Sequence, residues 1–190
     1  VREALKITGS LSKPSKMPGW AYGLPAKECK TGSKLVKVPG SVCHGCYALK
    51  GCYVFKVVQD AQYKRLRAIR SPLWVGAMSL IINSKKSKWF RWHDSGDVFH
   101  YDYAIAILEV CRLTPDTLHW LPTRLGTLIK KIVKDGVILP ANLAIQISCF
   151  KGGIYEQHQI ENVREIKKVQ PDARVGITYA HQGKKNREID

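Results

Sequence analysis

Cys29, Cys43, Cys46 and Cys52 fall within 24 positions of a chain that has six cysteines in all. Thirteen residues separate Cys29 from Cys43, two separate Cys43 from Cys46, and five separate Cys46 from Cys52. The run Cys43-His44-Gly45-Cys46 lets two thiolates reach one centre across a tight turn, with Gly40 and Gly45 supplying backbone freedom. Soft thiolate ligands select zinc or an iron–sulfur centre. Structural zinc usually comes with two C-x-x-C pairs; here Cys29 and Cys52 stand alone, and His44, adjacent to Cys43, is poorly placed to share its ion. The asymmetric set suits an iron–sulfur cluster, with the four-iron, four-sulfur form favoured and zinc as the alternative. Cys52 could equally be a small buried hydrophobe. Cys149, just past an expected strand, is a reserve fourth ligand, and Cys111, in an apolar run, reads as core.

A second constellation is acidic. Trp92-His93-Asp94-Ser95-Gly96-Asp97 closes an expected strand, with His100 and Asp102 soon after. His93, Asp94 and Asp97 could bind a divalent cation or act as general acid and base. They could instead cap a helix and pair with Arg or Lys. Trp120-Leu121-Pro122-Thr123-Arg124 ends the next strand in the same manner, with Arg124 suited to a phosphate or carboxylate, or to pairing with those carboxylates. Parallel strands deliver functional groups at their C-terminal ends, so His93, Asp94, Asp97 and Arg124 are the catalytic candidates.

The elements that must position these groups follow from periodicity. Up to Gly51 the chain is rich in Gly, Pro, Ser and Lys and reads as turns. A metal centre could order such a stretch. After Phe55, Val57, Val58, Ala61, Leu66 and Ile69 suit one helix face, with Lys64, Arg65, Arg67 and Arg70 outside it. Ser71-Pro72 reads as the start of a second helix. Strands at Trp89–Trp92, Leu118–Leu121, Leu143–Ile147 and Arg174–Tyr179 alternate with helices at Tyr103–Cys111, Leu125–Val133 and Ile154–Val169. Strand–helix alternation with short connections implies an α/β fold of parallel strands. Four strands are too few for a complete barrel, so the expectation is an incomplete (β/α) barrel or a small, mainly parallel sheet. It forms one domain over 1–190: an irregular cluster-binding segment at 1–53, the α/β part at 54–180 and a frayed tail at 181–190.

Lys and Arg number 31 against 15 Asp and Glu, a formal net charge of +16 over 190 residues. Such a field attracts polyanions, which makes nucleic acid the expected partner, DNA before RNA. Lys64, Arg65, Arg67 and Arg70 are the expected phosphate contacts. Tyr47, Tyr53 and Tyr63 offer rings for stacking bases but fit the core as well. No sequence-reading motif is evident. No apolar run approaches a membrane-spanning length and no secretory stretch opens the sequence, so the expected location is the cytoplasm.

Met17-Pro18-Gly19, Tyr22-Gly23-Leu24-Pro25-Ala26, Gly40 to Ala48, Lys50-Gly51, Phe90 to Asp97 and Trp120 to Arg124 together resemble the phage family called gene product eighty-eight. The resemblance runs to about Ser148. The cysteine–tyrosine–alanine turn and the strand-end motifs also resemble a related phage family with a radical-SAM-like partial barrel. This implies a cluster on Cys29, Cys43, Cys46 and Cys52 at the barrel mouth, with S-adenosylmethionine as a candidate cofactor. It also implies the cytoplasm of an infected or lysogenic bacterial host. The chain departs from the family after Cys149, where a further cysteine-rich segment is expected and no cysteine occurs. The function expected is an iron–sulfur protein that binds nucleic acid and modifies or cleaves it at that mouth. The alternatives are a non-catalytic nucleic-acid-binding protein with a structural cluster, and a zinc-containing nuclease.

Overall fold

The computed structural model describes residues 1–179; the expected tail at 181–190 lies outside them. Among the described residues, helices α1 (Arg2–Thr8), α2 (Lys30–Leu35), α3 (Lys56–Ala68), α4 (Trp74–Lys85), α5 (Tyr101–Arg112), α6 (Gly126–Lys134) and α7 (Gln157–Val169) accompany five strands. These are β1 (Trp20–Tyr22), β2 (Trp89–Trp92), β3 (Leu118–Thr123), β4 (Leu143–Ser148) and β5 (Val175–Thr178). They form one sheet in the order β1-β2-β3-β4-β5, with every neighbouring pair parallel. The fold is thus α/β with an open parallel sheet, and the sheet does not close into a barrel.

The fifth strand, β1, lies in the stretch that reads as turns. Its neighbour Gly19 (φ 88°) makes the pairing possible, because a Cβ there would collide with the Trp89 carbonyl. Residues 1–53 therefore hold a strand of the main sheet and short helices, more regular structure than their composition suggests. Helix α4 starts at Trp74 and not at Pro72; Ser71 accepts the Leu73 N–H at 3.3 Å and closes the preceding turn instead. In α3 the buried residues are Gln62 and Arg65, whereas Val57 is 75% exposed. Both contradict the expected helix face, and the reason is polar: each buried side chain finds a partner in the loops beneath.

The core runs from Ala4 to Val175. Its centre is aromatic: Tyr22 and Trp92 flank Trp74 with ring centroids 5.7 and 6.2 Å away, and Phe90 meets Trp92 edge-on at 4.9 Å. The Tyr22 hydroxyl donates to the Thr8 carbonyl (2.7 Å) and accepts from Trp74 Nε1 (3.1 Å), which ties α1 and α4 to β1. Burial alternates along the strands. His119, Leu121, Thr123, Leu143, Ile145 and Ile147 are buried, while Leu118, Trp120, Pro122, Ala144, Gln146 and Ser148 are half-buried. Parallel sheets are usually covered on both faces; this one packs its core against one face and leaves the other partly open. Among the described residues no helix is long and apolar enough to cross a membrane.

His119 lies in the core, bonded to Thr114 Oγ1 at 2.8 Å and stacked against Trp92. Burial lowers its pKa from 6.5 to about 4. The unfolded chain therefore takes up a proton that the folded one refuses, so this contribution is complete above pH 6.5 and is lost as pH falls toward 4. The loss should reach up to about 3 kcal/mol. Buried Asp94 and Asp97, whose pKa values are raised, act with the opposite sign, so the check is a comparison. Urea denaturation of the wild type and of His119→Leu across this range should give a shallower acid slope for the variant.

Candidate functional site

Beyond Trp92 the chain turns sharply: His93 (φ 58°) and Gly96 (φ 77°) both adopt left-handed backbone. Residues 93–97 are folded inward and bond to several other segments of the chain. The Asp94 carboxylate is buried, 3.4 Å from Ser12 Oγ and 3.4 Å from the Tyr53 hydroxyl. Its carbonyl accepts from the Tyr47 hydroxyl at 2.6 Å. Gly23 is needed opposite it, since a Cβ there would strike Asp94 Oδ1. Burial raises the Asp94 pKa, and the guanidinium groups of Arg65 and Arg91 pull it back. Ser95 donates to the Leu24 carbonyl and accepts from Gln62 Nε2 at 2.8 Å.

Asp97 accepts the Val98 N–H at 2.7 Å and the Arg124 N–H at 3.0 Å, joining the end of β2 to the end of β3. Burial raises its pKa too, opposed first by the Arg124 backbone bond. His93 is buried, with Nε2 2.9 Å from the Tyr103 hydroxyl and Nδ1 without a partner among the described residues. Burial holds its pKa down to about 3, so the ring is neutral. The structure thus gathers His93, Asp94, Asp97 and Arg124 at one edge, but gives the first three internal bonding. The expected helix cap is elsewhere: His100, with its ring accepting from the Asp102 N–H, caps α5.

The cysteines meet the same edge. Cys29, Cys43 and Cys46 line a cavity of about 290 Å³ together with Gly32, Gly96 and Arg124. Cys29 caps α2, its sulfur accepting the Gly32 N–H at 3.3 Å. A Cβ on Gly32 would lie 3.0 Å from Cys29 Sγ and 3.9 Å from Cys43 Sγ, so the glycine keeps room beside both sulfurs. Val42 N–H donates to the Phe150 carbonyl at 2.8 Å, which anchors the Cys43 turn to the end of β4. Burial, and then Asp97, raises the Cys29 pKa to about 11; burial also raises that of Cys43, with Arg124 pulling it down. Both are therefore thiols at neutral pH, and a bound cation would displace their protons.

Three cysteines line one cavity with Arg124, whose buried Nε has no hydrogen-bond partner among the described residues. Among the described residues no three His, Cys, Asp or Glu side chains converge closely enough for a single metal ion. Cys52 is exposed on the turn Gly51–Val54 and does not line the cavity. Cys149 is buried near it, with its sulfur accepting the Glu156 N–H at 3.4 Å, and Cys111 is core.

Of the expected phosphate contacts, Lys64, Arg67 and Arg70 are exposed, but Arg65 is only 6% exposed. Its guanidinium donates to the Ser10 carbonyl (3.1 Å) and the Gly23 carbonyl (3.3 Å). Arg65 is a structural cation, which helical periodicity could not separate from its basic neighbours. Sequence reasoning also missed Ser12 and Gln62. Nothing in their spacing marks them, because each is defined by the loop it meets.

A family model described as Gene product 88 matches residues 2–187. No curated protein and no solved structure matches the chain.

The geometry makes Asp97 a positioning residue. Asp97→Asn presents an amide N–H to one of two backbone N–H donors, and should lower the unfolding free energy by about 2 kcal/mol. Urea denaturation checks this. Unchanged stability would instead point to a chemical role for the carboxylate.

Proposed function

The chain belongs to the gene product 88 family of phage proteins, and we propose that it holds an iron–sulfur cluster at the sheet's C-terminal edge and binds nucleic acid there. The observation that carries this reading is the single cavity onto which Cys29, Cys43 and Cys46 open beside Arg124. These three cysteines would hold the cluster, which would order the surrounding turns and supply electron-transfer chemistry. Arg124 would balance its negative charge. The guanidinium lining the same cavity suits a phosphate, or the carboxylate of S-adenosylmethionine.

Modification or cleavage of nucleic acid at this edge would draw on the cluster and Arg124. His93, Asp94 and Asp97 serve by fixing the loop that forms one wall. A zinc nuclease would need Asp94 and Asp97 free to hold a cation, and both are buried and bonded within the chain. The net charge of +16 supports a polyanionic partner.

Protein purified without oxygen should be brown, with iron and acid-labile sulfide in near-equal amounts. Cys29→Ser, Cys43→Ser or Cys46→Ser should each remove the colour, and Cys52→Ser should keep it. Stoichiometric zinc without sulfide would overturn the cluster.

Nucleic-acid affinity should fall linearly, on logarithmic axes, with added salt. Replacing Lys64, Arg67 and Arg70 together by Ala should reduce that slope by ~1 to ~3 for duplex DNA. No binding to DNA or RNA at low salt would refute the partner.

A further inference from the structure

The sheet face away from the main core carries a second, separate arrangement. Register puts Ala21, Arg91, Trp120 and Ala144 side by side across β1 to β4. Arg174, whose carbonyl accepts the Ile145 N–H at 2.8 Å, extends the row at the start of β5. The Arg91 guanidinium lies over the Trp120 ring, 4.8 Å from its centroid. The indole N–H donates to Gln146 Oε1 at 3.0 Å, which fixes the ring's tilt.

Beside the ring on one side the chain is small: Ala144 pairs with Trp120, and Gly176, paired with Gln146, would carry a Cβ that meets nothing within 4 Å. A cavity of about 290 Å³ opens here, near the ~300 Å³ at which ligand pockets begin. Among the described residues its lining includes Trp89, Arg91, Trp120 and Arg174, and no Asp or Glu. Trp89 and Arg174 are exposed. The buried Nε of Arg91 has no hydrogen-bond partner among the described residues.

Flat rings, an arginine stacked on one of them, a second arginine nearby and no carboxylate together match one chemistry: a planar heteroaromatic base carried on a phosphate backbone. A duplex hides its base faces; a single strand offers them. We infer that this open sheet face, centred on the Arg91–Trp120 stack, seats single-stranded nucleic acid, with a base against the stack and phosphates at Arg91 and Arg174. This rests on the nucleic-acid reading above and adds a base-stacking contact on the sheet face to the edge and to the exposed cations of α3. The face also connects to the cluster cavity: Tyr47 lines that cavity and accepts from Arg91 Nη2 at 3.4 Å. A strand seated on Trp120 would lead toward the edge that holds the cysteines.

The test uses the full chain and fluorescein-labelled oligothymidylate and oligouridylate, followed by anisotropy at low salt. Trp120→Leu should weaken binding roughly 5- to 150-fold, and Trp120→Phe, which keeps a ring, should restore most of it. A labelled duplex of the same length should bind more weakly than the single strand. Ultraviolet cross-linking of a bromouracil-substituted strand to the wild-type protein reads the contact without any variant, and should label the peptide holding Trp120 or Trp89. Single-strand binding that Trp120→Leu leaves unchanged, with cross-links on α3, would overturn this face and leave the nucleic-acid reading standing. Preference for the duplex would also overturn it. Absence of binding to every nucleic acid would end both.

Discussion

Two buried carboxylates at the end of β2 govern how the rest of the chain comes together. A carboxylate removed from water is costly unless donors surround it. Asp97 takes its donors from the backbone at Val98 and Arg124, and Asp94 takes its own from Ser12 and Tyr53. These donors belong to the loop before β1, the turn after the cysteines, the entry to α5 and the end of β3. Satisfying two side chains thus draws four segments to one edge. The left-handed turn at His93 and Gly96 is the backbone cost of aiming both carboxylates inward.

The cysteine cavity inherits its position from that knot. Tyr47 is fixed by its bond to the Asp94 carbonyl, and Cys46 precedes it directly. Arg124 is fixed at its backbone by Asp97, which leaves its side chain to line the cavity. Gly96, from the same loop, forms another part of the wall. The cysteine segment has few apolar contacts of its own. Its order comes from hydrogen bonds to a loop held by buried charge, and from the Val42 bond to the end of β4.

This division explains what could be read in the sequence. Strands β2 to β5 and helices α5 to α7 announce themselves, because their apolar residues recur at strand or helix spacing between turn residues. Strand β1 does not: it has three residues between glycines, and it exists because Gly19 lets it approach Trp89. The C-x-x-C spacing sets Cys43 and Cys46 on one turn, which is a local property, whereas Cys29 lines the same cavity only through the tertiary fold. Asp94 and Asp97 could be recognised as a site but not assigned work there, because a carboxylate that binds a backbone and one that binds a ligand have the same sequence. Arg65 was misplaced for a related reason. A buried arginine on a helix rich in basic residues is distinguished only by carbonyls from Ser10 and Gly23, far away in the chain.

The same buried charges set the character of the exposed edge. Asp94 acts electrostatically on Arg91, and Asp97 on Arg124, yet neither arginine forms a contact ion pair among the described residues. A carboxylate held by other donors can orient a guanidinium through its field without consuming its N–H groups. Both arginines therefore keep hydrogen-bonding capacity, and each has a buried Nε without a partner among the described residues. In a chain with a net charge of +16, withdrawing acidic groups into the interior also removes the nearest competitors for those cations. An edge and face built in this way are electropositive, stacked and unsatisfied together. On the function proposed above, that combination would favour an anionic, planar ligand over the purely diffuse attraction of exposed lysines, because the donors are aligned before the ligand arrives.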